Sequence, residues 1–318
     1  MNYIELLKDT AAKAGNCACL GIDPNFGALP EGLDVRQFFL ELFEAIDKNG
    51  LKVAAIKPNI GYFSKLDKPL EGDFSGSKAL ADIVKALPAR PFILDAKRGD
   101  IATSSANYAF EAFRCWGADC VTVSPYMGND SISPFASAIG EDAKDKGFYI
   151  LDRTSNPGGK DLQNQIMQDG KPIYMHVADL IAKWNKEFSS GIGAVVGATN
   201  LREFEELSSF FADKSVPLLI PGVGSQGGSA PDVIGIMKKT GYPLELCRIN
   251  SSSALTHPWA KKKEAAPSNW KQVCIDAIKN SPRSAHCDRD LCPQTISHGT
   301  SRPQALSGNS QWSGHNQT

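Results

Sequence analysis

The chain has 318 residues, 42% of them hydrophobic, and 34 Lys and Arg against 35 Asp and Glu leave a formal net charge of −1. That length and apolar content suffice for one large core. The balanced charge excludes a global basic field of the kind that gathers nucleic acid or anionic membrane.

No apolar run is long enough to span a bilayer. Met1-Asn2-Tyr3-Ile4-Glu5 shows no basic segment leading into an apolar one, so a cytoplasmic setting with reduced thiols is expected for the eight cysteines. His176, His257, His286, His298 and His315 are scattered, Cys17 and Cys19 alternate along a strand, and Cys287 and Cys292 fall in a polar stretch. None of this has metal-ligand spacing.

In chain order, residues 2–15 predict a short amphipathic helix ending at Gly15, and Cys17 to Pro24 an apolar strand closed by Asp23. Phe38, Phe39, Leu42, Phe43 and Ile46 recur at three-and-four spacing, which predicts a helix over 35–49. Further strands are expected at 53–59, at the start of the stretch 92–101, which turns charged at its carboxyl end, and at 120–125, 147–152, 193–198, 217–224 and 244–250. The helices between them are expected near 75–87, 103–116, 131–145, 172–188, 200–213 and 229–240, with a last one near 258–280. Residues 281–318 are rich in Ser, Pro, Gln, Asn and Gly and predict a disordered tail behind a domain spanning 1–280.

Eight short apolar strands alternating with helices predict a parallel sheet covered on its outer face, in the α/β class. A (β/α)8 TIM barrel fits the count and length. An open doubly wound sheet is the competitor, but it would carry its glycine-rich turn after the first strand. Here that turn, Pro221-Gly222-Val223-Gly224-Ser225-Gln226-Gly227-Gly228, follows the seventh.

In such a barrel the carboxyl ends of the strands share one face. The polar residues expected to converge there are Asp23, Lys57, Asn59, Asp95, Lys97, Asp100, Ser124, Thr154, Ser155, Gln226 and Asn250. Asp95 and Lys97 alternate to one side of a strand. The cluster is either an ion pair capping a strand end or a site. Likewise the glycine-rich loop is either a tight turn or an anion cradle of backbone N–H groups.

Taken together, Leu-Gly-Ile-Asp-Pro at 20–24, Ile-Lys-Pro-Asn at 56–59, Asp-Ala-Lys-Arg-Gly-Asp-Ile at 95–101, Arg-Thr-Ser-Asn-Pro at 153–157 and the loop at 221–228 resemble the orotidine 5′-phosphate decarboxylase family over roughly residues 1–280. Their form is similar to a subgroup of some bacteria and protozoa, including the decarboxylase domain of trypanosomatid UMP synthases. No phosphoribosyl-pyrophosphate loop is visible, so the second activity of those fused enzymes is not expected.

The resemblance implies conversion of orotidine 5′-monophosphate to UMP without metal or organic cofactor. It implies Lys97 as proton donor, Asp95 beside the substrate carboxylate, and Lys57 and Asp100 completing an alternating charge network. It also implies a homodimer with shared sites, in which Asp100, Ile101 and Ser104 act on the neighbouring subunit's substrate. Asp23 and Asn59 would bind near the ribose and Thr154 and Ser155 at the pyrimidine edge. Pro221, Gln226 and Gly227 would lie along base and phosphate. The family places a phosphate-binding Arg after the eighth strand, where this chain has Ser253. Arg248 is the nearest substitute, or else an outer-face strand residue. A metal-using relative acting on a sugar phosphate and a non-catalytic nucleotide binder are the competing functions.

Overall fold

The computed structural model describes residues 1–87, 91–137, 145–188, 191–224 and 227–280. The expectations for the 281–318 tail and for Gln226 lie outside the described residues.

Eight strands form one sheet: β1 Ala18–Ile22, β2 Ala55–Pro58, β3 Ile93–Arg98, β4 Cys120–Val123, β5 Gly147–Arg153, β6 Gly191–Val196, β7 Leu218–Ile220 and β8 Cys247–Ser251. Their order is β2-β1-β8-β7-β6-β5-β4-β3, and every ladder is parallel. The two ends of that order meet through parallel bridges Ile56–Phe92 and Asn59–Asp95, which close the ring. This is the (β/α)8 barrel. The strands are buried almost throughout because helices cover the outside and side chains fill the inside.

The helices are α1 Tyr3–Ala14, α2 Val35–Lys48, α3 Gly61–Ser64, α4 Ser75–Lys85, α5 Ala102–Phe110, α6 Asn129–Ser137, α7 Gly159–Leu162, α8 Ile173–Glu187, α9 Leu201–Phe211, α10 Ala230–Thr240, α11 Ser253–Thr256 and α12 Trp270–Asn280. Their local causes are legible. The α2 helix starts at Asp34, whose side chain accepts from Gln37 N–H while the Gln37 side chain bonds back. It buries the apolar face of Phe38, Phe39, Leu42, Phe43 and Ile46, each worth about 1.5–3 kcal/mol of transfer free energy. The expected helix over 258–280 is broken. Residues 258–262 form a 3-10 turn and α12 begins only at Trp270, because Pro267 disfavours helical geometry in the residue before it.

The α1 helix closes the amino-terminal end of the barrel. Tyr3 lies against the backbone of Gly147 and Gly191, where any Cβ would collide with its ring. Tyr3 also meets Tyr149 edge-on at 6.3 Å between ring centroids.

Arg248 belongs to this end, which corrects both readings of it. It lies two residues before the cavity-lining Asn250, so it points into the barrel interior rather than outward. Being one layer deeper, it is fully buried. Its guanidinium donates to Leu7 O at 2.7 Å, Thr10 Oγ1 at 2.8 Å, Cys247 O at 2.6 Å and Glu245 O at 3.1 Å. Two of these bonds fasten α1, its Nε is buried without a partner, and it is not among the cavity-lining residues.

Candidate active site

The carboxyl ends of the strands open into a cavity of about 900 Å³. Its wall includes Asp23 from β1, Lys57 and Asn59 from β2, Asp95 and Lys97 from β3, and Thr122 from β4. It continues with Thr154 and Ser155 after β5, Pro221 and Gly222 after β7, and Asn250, Ser252 and Ser253 around the end of β8.

The centre is a chain of three charges. Lys57 Nζ lies 2.7 Å from Asp95 Oδ2, and Lys97 Nζ lies 2.5 Å from Asp95 Oδ1. The side chains of Lys57 and Asp95 are 5% and 8% exposed, whereas that of Lys97 is 49% exposed. Lys97 is therefore the member of the chain that a bound molecule can meet. Burial would raise the Asp95 pKa, but the ammonium groups of Lys57 and Lys97 outweigh it and hold the carboxyl well below the usual range. Burial would likewise lower the Lys57 pKa, yet the charges of Asp95 and Asp23 keep it above its ordinary value. Both groups are charged at neutral pH.

Alternation along an even strand is not what brings Lys97 to Asp95. The β3–β4 register shifts between Leu94 and Arg98, and Lys97 adopts φ +46°. Thr122 sits opposite this irregularity and donates to Asp95 Oδ1 at 2.9 Å. Strand parity puts Thr122 on the same side as Ser124, a polar strand-end residue, so a signal for it existed. Ser124 itself is not among the cavity-lining residues.

Asp23 accepts from Ser252 Oγ at 2.6 Å, while its Oδ1 is buried without a partner, as is Asn250 Oδ1. Gly21 makes the Asp23–Ser252 bond possible, because a Cβ there would strike the Ser252 hydroxyl. After β5, Arg153 pairs with Glu203 at 2.7 Å and donates to Thr154 O at 2.6 Å. Thr199 Oγ1 donates to Ser155 O. These bonds fix the segment that carries Thr154 and Ser155. Asn59 accepts from Gly61 N–H at 3.0 Å, which shapes the turn after β2.

The glycine-rich loop folds back on itself: Gly224 N–H donates to Gly228 O at 2.9 Å and Gly228 N–H to Gly222 O at 3.0 Å. Gly222, Gly224 and Gly227 all have φ between 90° and 95°, a region that favours glycine. Two of the amides expected to face an anion are thus used within the loop, and Gly227 is not among the cavity-lining residues.

The sequence profile of the orotidine 5′-phosphate decarboxylase / HUMPS family matches residues 29–241. The orotidine 5′-phosphate decarboxylase of Verminephrobacter eiseniae (strain EF01-2) is 38% identical over 289 residues, covering 89% of this chain and 100% of the relative. That of Bordetella avium (strain 197N) is 40% identical over 284 residues, covering 88% and 96%. Among solved structures, the UMP synthase of Leishmania donovani superposes with a TM-score of 0.68 at 30% identity, covering 88% of this chain and 56% of that one. The chain belongs to the orotidine 5′-phosphate decarboxylase family. It is an enzyme of the carboxy-lyase class, and its resemblance to the decarboxylase part of a trypanosomatid UMP synthase holds.

Within that family the residues divide into two sets. Lys57, Asp95, Lys97, Asp23, Asn59, Thr154, Ser155 and Pro221 share one cavity. Asp100, Ile101 and Ser104 are not among its lining residues. They lie at the start of α5, where Asp100 Oδ1 accepts from Ile101 N–H and Ile101 is 50% exposed. Sequence reasoning missed Thr122, Ser252 and Lys65. The Lys65 ammonium lines the cavity 4.1 Å from the centroid of the Phe26 ring. Among the described residues it is the lining cation without a carboxylate partner.

Proposed function

We propose that this cavity converts orotidine 5′-monophosphate to UMP, a step of pyrimidine biosynthesis, with Lys97 as the proton donor. The observation that carries the reading is the Lys57–Asp95–Lys97 chain, in which the half-exposed ammonium is the one facing the open space.

Heterolysis of the bond to the departing carboxylate leaves an electron pair on a pyrimidine carbon with no adjacent electron sink. A fixed ammonium stabilises that charge as it forms, then gives its proton to the same carbon. Lys97 must stay charged in a partly dry site. Asp95 sits where the substrate carboxylate would be repelled before it leaves. Asp23 and Asn59 bind near the ribose, Ser155 and Thr154 meet the pyrimidine edge, and Gln226 bridges base and phosphate. With Arg248 locked in the core, Lys65 becomes the cation that answers the phosphate across from Pro221 and Gly222.

Asp100, Ile101 and Ser104 complete the site of a second copy in this reading. Their position outside their own cavity supports it, as do the exposed apolar side chains Ile101, Phe110, Tyr126 and Met127. Ultraviolet-monitored turnover of orotidine 5′-monophosphate, with and without a chelator, tests the proposal. Turnover unaffected by chelation is expected. No turnover overturns it and leaves the sugar-phosphate and non-catalytic readings, and turnover abolished by chelation overturns the metal-free mechanism.

A further inference from the structure

Lys97 meets Asp95 through an irregular backbone, and something must hold that irregularity. From Leu94–Val121 to Arg98–Val123, β3 advances four residues while β4 advances two. The excess residues lose their regular ladder partners. Lys97 also sits at φ +46°, a region that costs a non-glycine residue on the order of 1–3 kcal/mol and persists only when its surroundings impose it.

One side chain touches it from the neighbouring strand. Thr122 Oγ1 accepts from Ala96 N–H at 3.1 Å and from Lys97 N–H at 3.0 Å, and donates to Asp95 Oδ1 at 2.9 Å. A hydroxyl has two lone pairs and one hydrogen, so its capacity is fully used. Thr122 is 1% exposed, so its hydroxyl makes these bonds largely shielded from solvent. Asp95 Oδ1 is also the oxygen that holds the Lys97 ammonium. A single hydroxyl thus touches both the backbone that launches Lys97 and the carboxylate that aims its tip.

We propose that Thr122 is the positioning residue of the proton donor, fixing the β3 irregularity and the Asp95 carboxylate so that the Lys97 ammonium faces the reacting carbon. The inference rests on Lys97 being the donor. Ser at 122 keeps all three bonds. Val keeps the volume but leaves two part-buried amides and a carboxylate oxygen short of a partner.

The test compares Thr122→Ser and Thr122→Val in the full-length protein. It measures kcat and KM for orotidine 5′-monophosphate, UMP affinity, and exchange of the UMP ring hydrogen with D2O by NMR. The exchange reads proton transfer at Lys97 without decarboxylation. Thr122→Ser should stay within a few-fold of wild type. Thr122→Val should lose about 100-fold in kcat, the scale of an ångström-level misplacement, and lose exchange in parallel, with UMP affinity within a few-fold. Should Thr122→Val not fold, Thr122→Ala carries the comparison with the same expected direction. Wild-type kcat and exchange in a folded hydroxyl-less variant overturn the assignment. So does a loss confined to UMP affinity, or an equal loss in Thr122→Ser. Absence of turnover in the wild-type protein overturns the decarboxylase reading instead.

Discussion

The two ends of the barrel both bury charge, and they use it differently. At the amino-terminal end Arg248 donates four hydrogen bonds to groups of the protein itself, and α1 seals it from solvent. Cys19, a layer closer to the cavity, is a buried thiol whose pKa is pushed up to about 12 chiefly by burial. At the carboxyl end the charges also pair, but one ammonium remains half exposed, and Asp23 and Asn250 each keep a buried oxygen without a partner beside a cavity. Burial of charge alone therefore marks neither end as the site. What marks it is polar capacity left over where a ligand can enter.

The largest expected effect tests the open end. Lys97→Ala should lower kcat by at least about 10⁴-fold, the upper range for one positioned acid, while UMP binding stays measurable by calorimetry. Near wild-type turnover would remove the assigned donor. Mixed with Asp100→Ala chains under conditions where subunit exchange is demonstrated, the inactive Lys97→Ala protein should regain activity. Persistent inactivity would show that the two residues do not serve one shared site.

The sealed end should behave in the opposite way. Arg248→Met removes donors from buried acceptors such as Leu7 O, and a loss of about 3 kcal/mol in stability is expected. KM for orotidine 5′-monophosphate should be unchanged well below the melting temperature. A raised KM at unaltered stability would return Arg248 to the phosphate. Lys65→Ala is the complementary test. A charged hydrogen bond of about 1.5–3 kcal/mol predicts roughly 10- to 100-fold weaker UMP binding with uridine binding unaffected. Equal affinity for UMP in variant and wild type would leave the phosphate without this cation.

These contrasts also show what the sequence could carry. The strands and their polar ends were legible because a parallel barrel needs apolar runs and gathers their termini on one face. Lys57, Asp95, Asp23 and Asn59 follow directly from that rule. Arg248 did not, because parity gives the side of a strand but not the layer, and its partners Leu7 and Thr10 lie some 240 positions away. Lys97 does meet Asp95, but the expected reason for it was incomplete. Alternation suggested the pairing, whereas a register shift and a threonine on the next strand produce the geometry. Such a shift leaves no local composition signal. The expected helix over 258–280 runs through Pro267, a residue that disfavours helical geometry just before it.

His257 sharpens the contrast by being a buried polar group with spare capacity and no cavity. Its Nε2 has no partner, its Nδ1 is 2.8 Å from Thr256 Oγ1, and its ring stacks on Phe38 at 4.8 Å. Burial lowers its pKa from 6.5 to about 4. Between those values the unfolded chain binds the proton and the folded one does not, so stability falls as pH drops from about 6.5 toward 4 and the term is complete below that. One such group sets a slope of at most about 1.4 kcal/mol per pH unit. Replacing it with Phe, which preserves the stack, should flatten the acid limb of chemical-denaturation stability over this window and leave kcat and KM at pH 7 unchanged. An unflattened limb would mean that the ring is not held neutral. A changed KM would mean that spare polar capacity matters even where no cavity adjoins it, and the distinction between the two ends would then need a different basis.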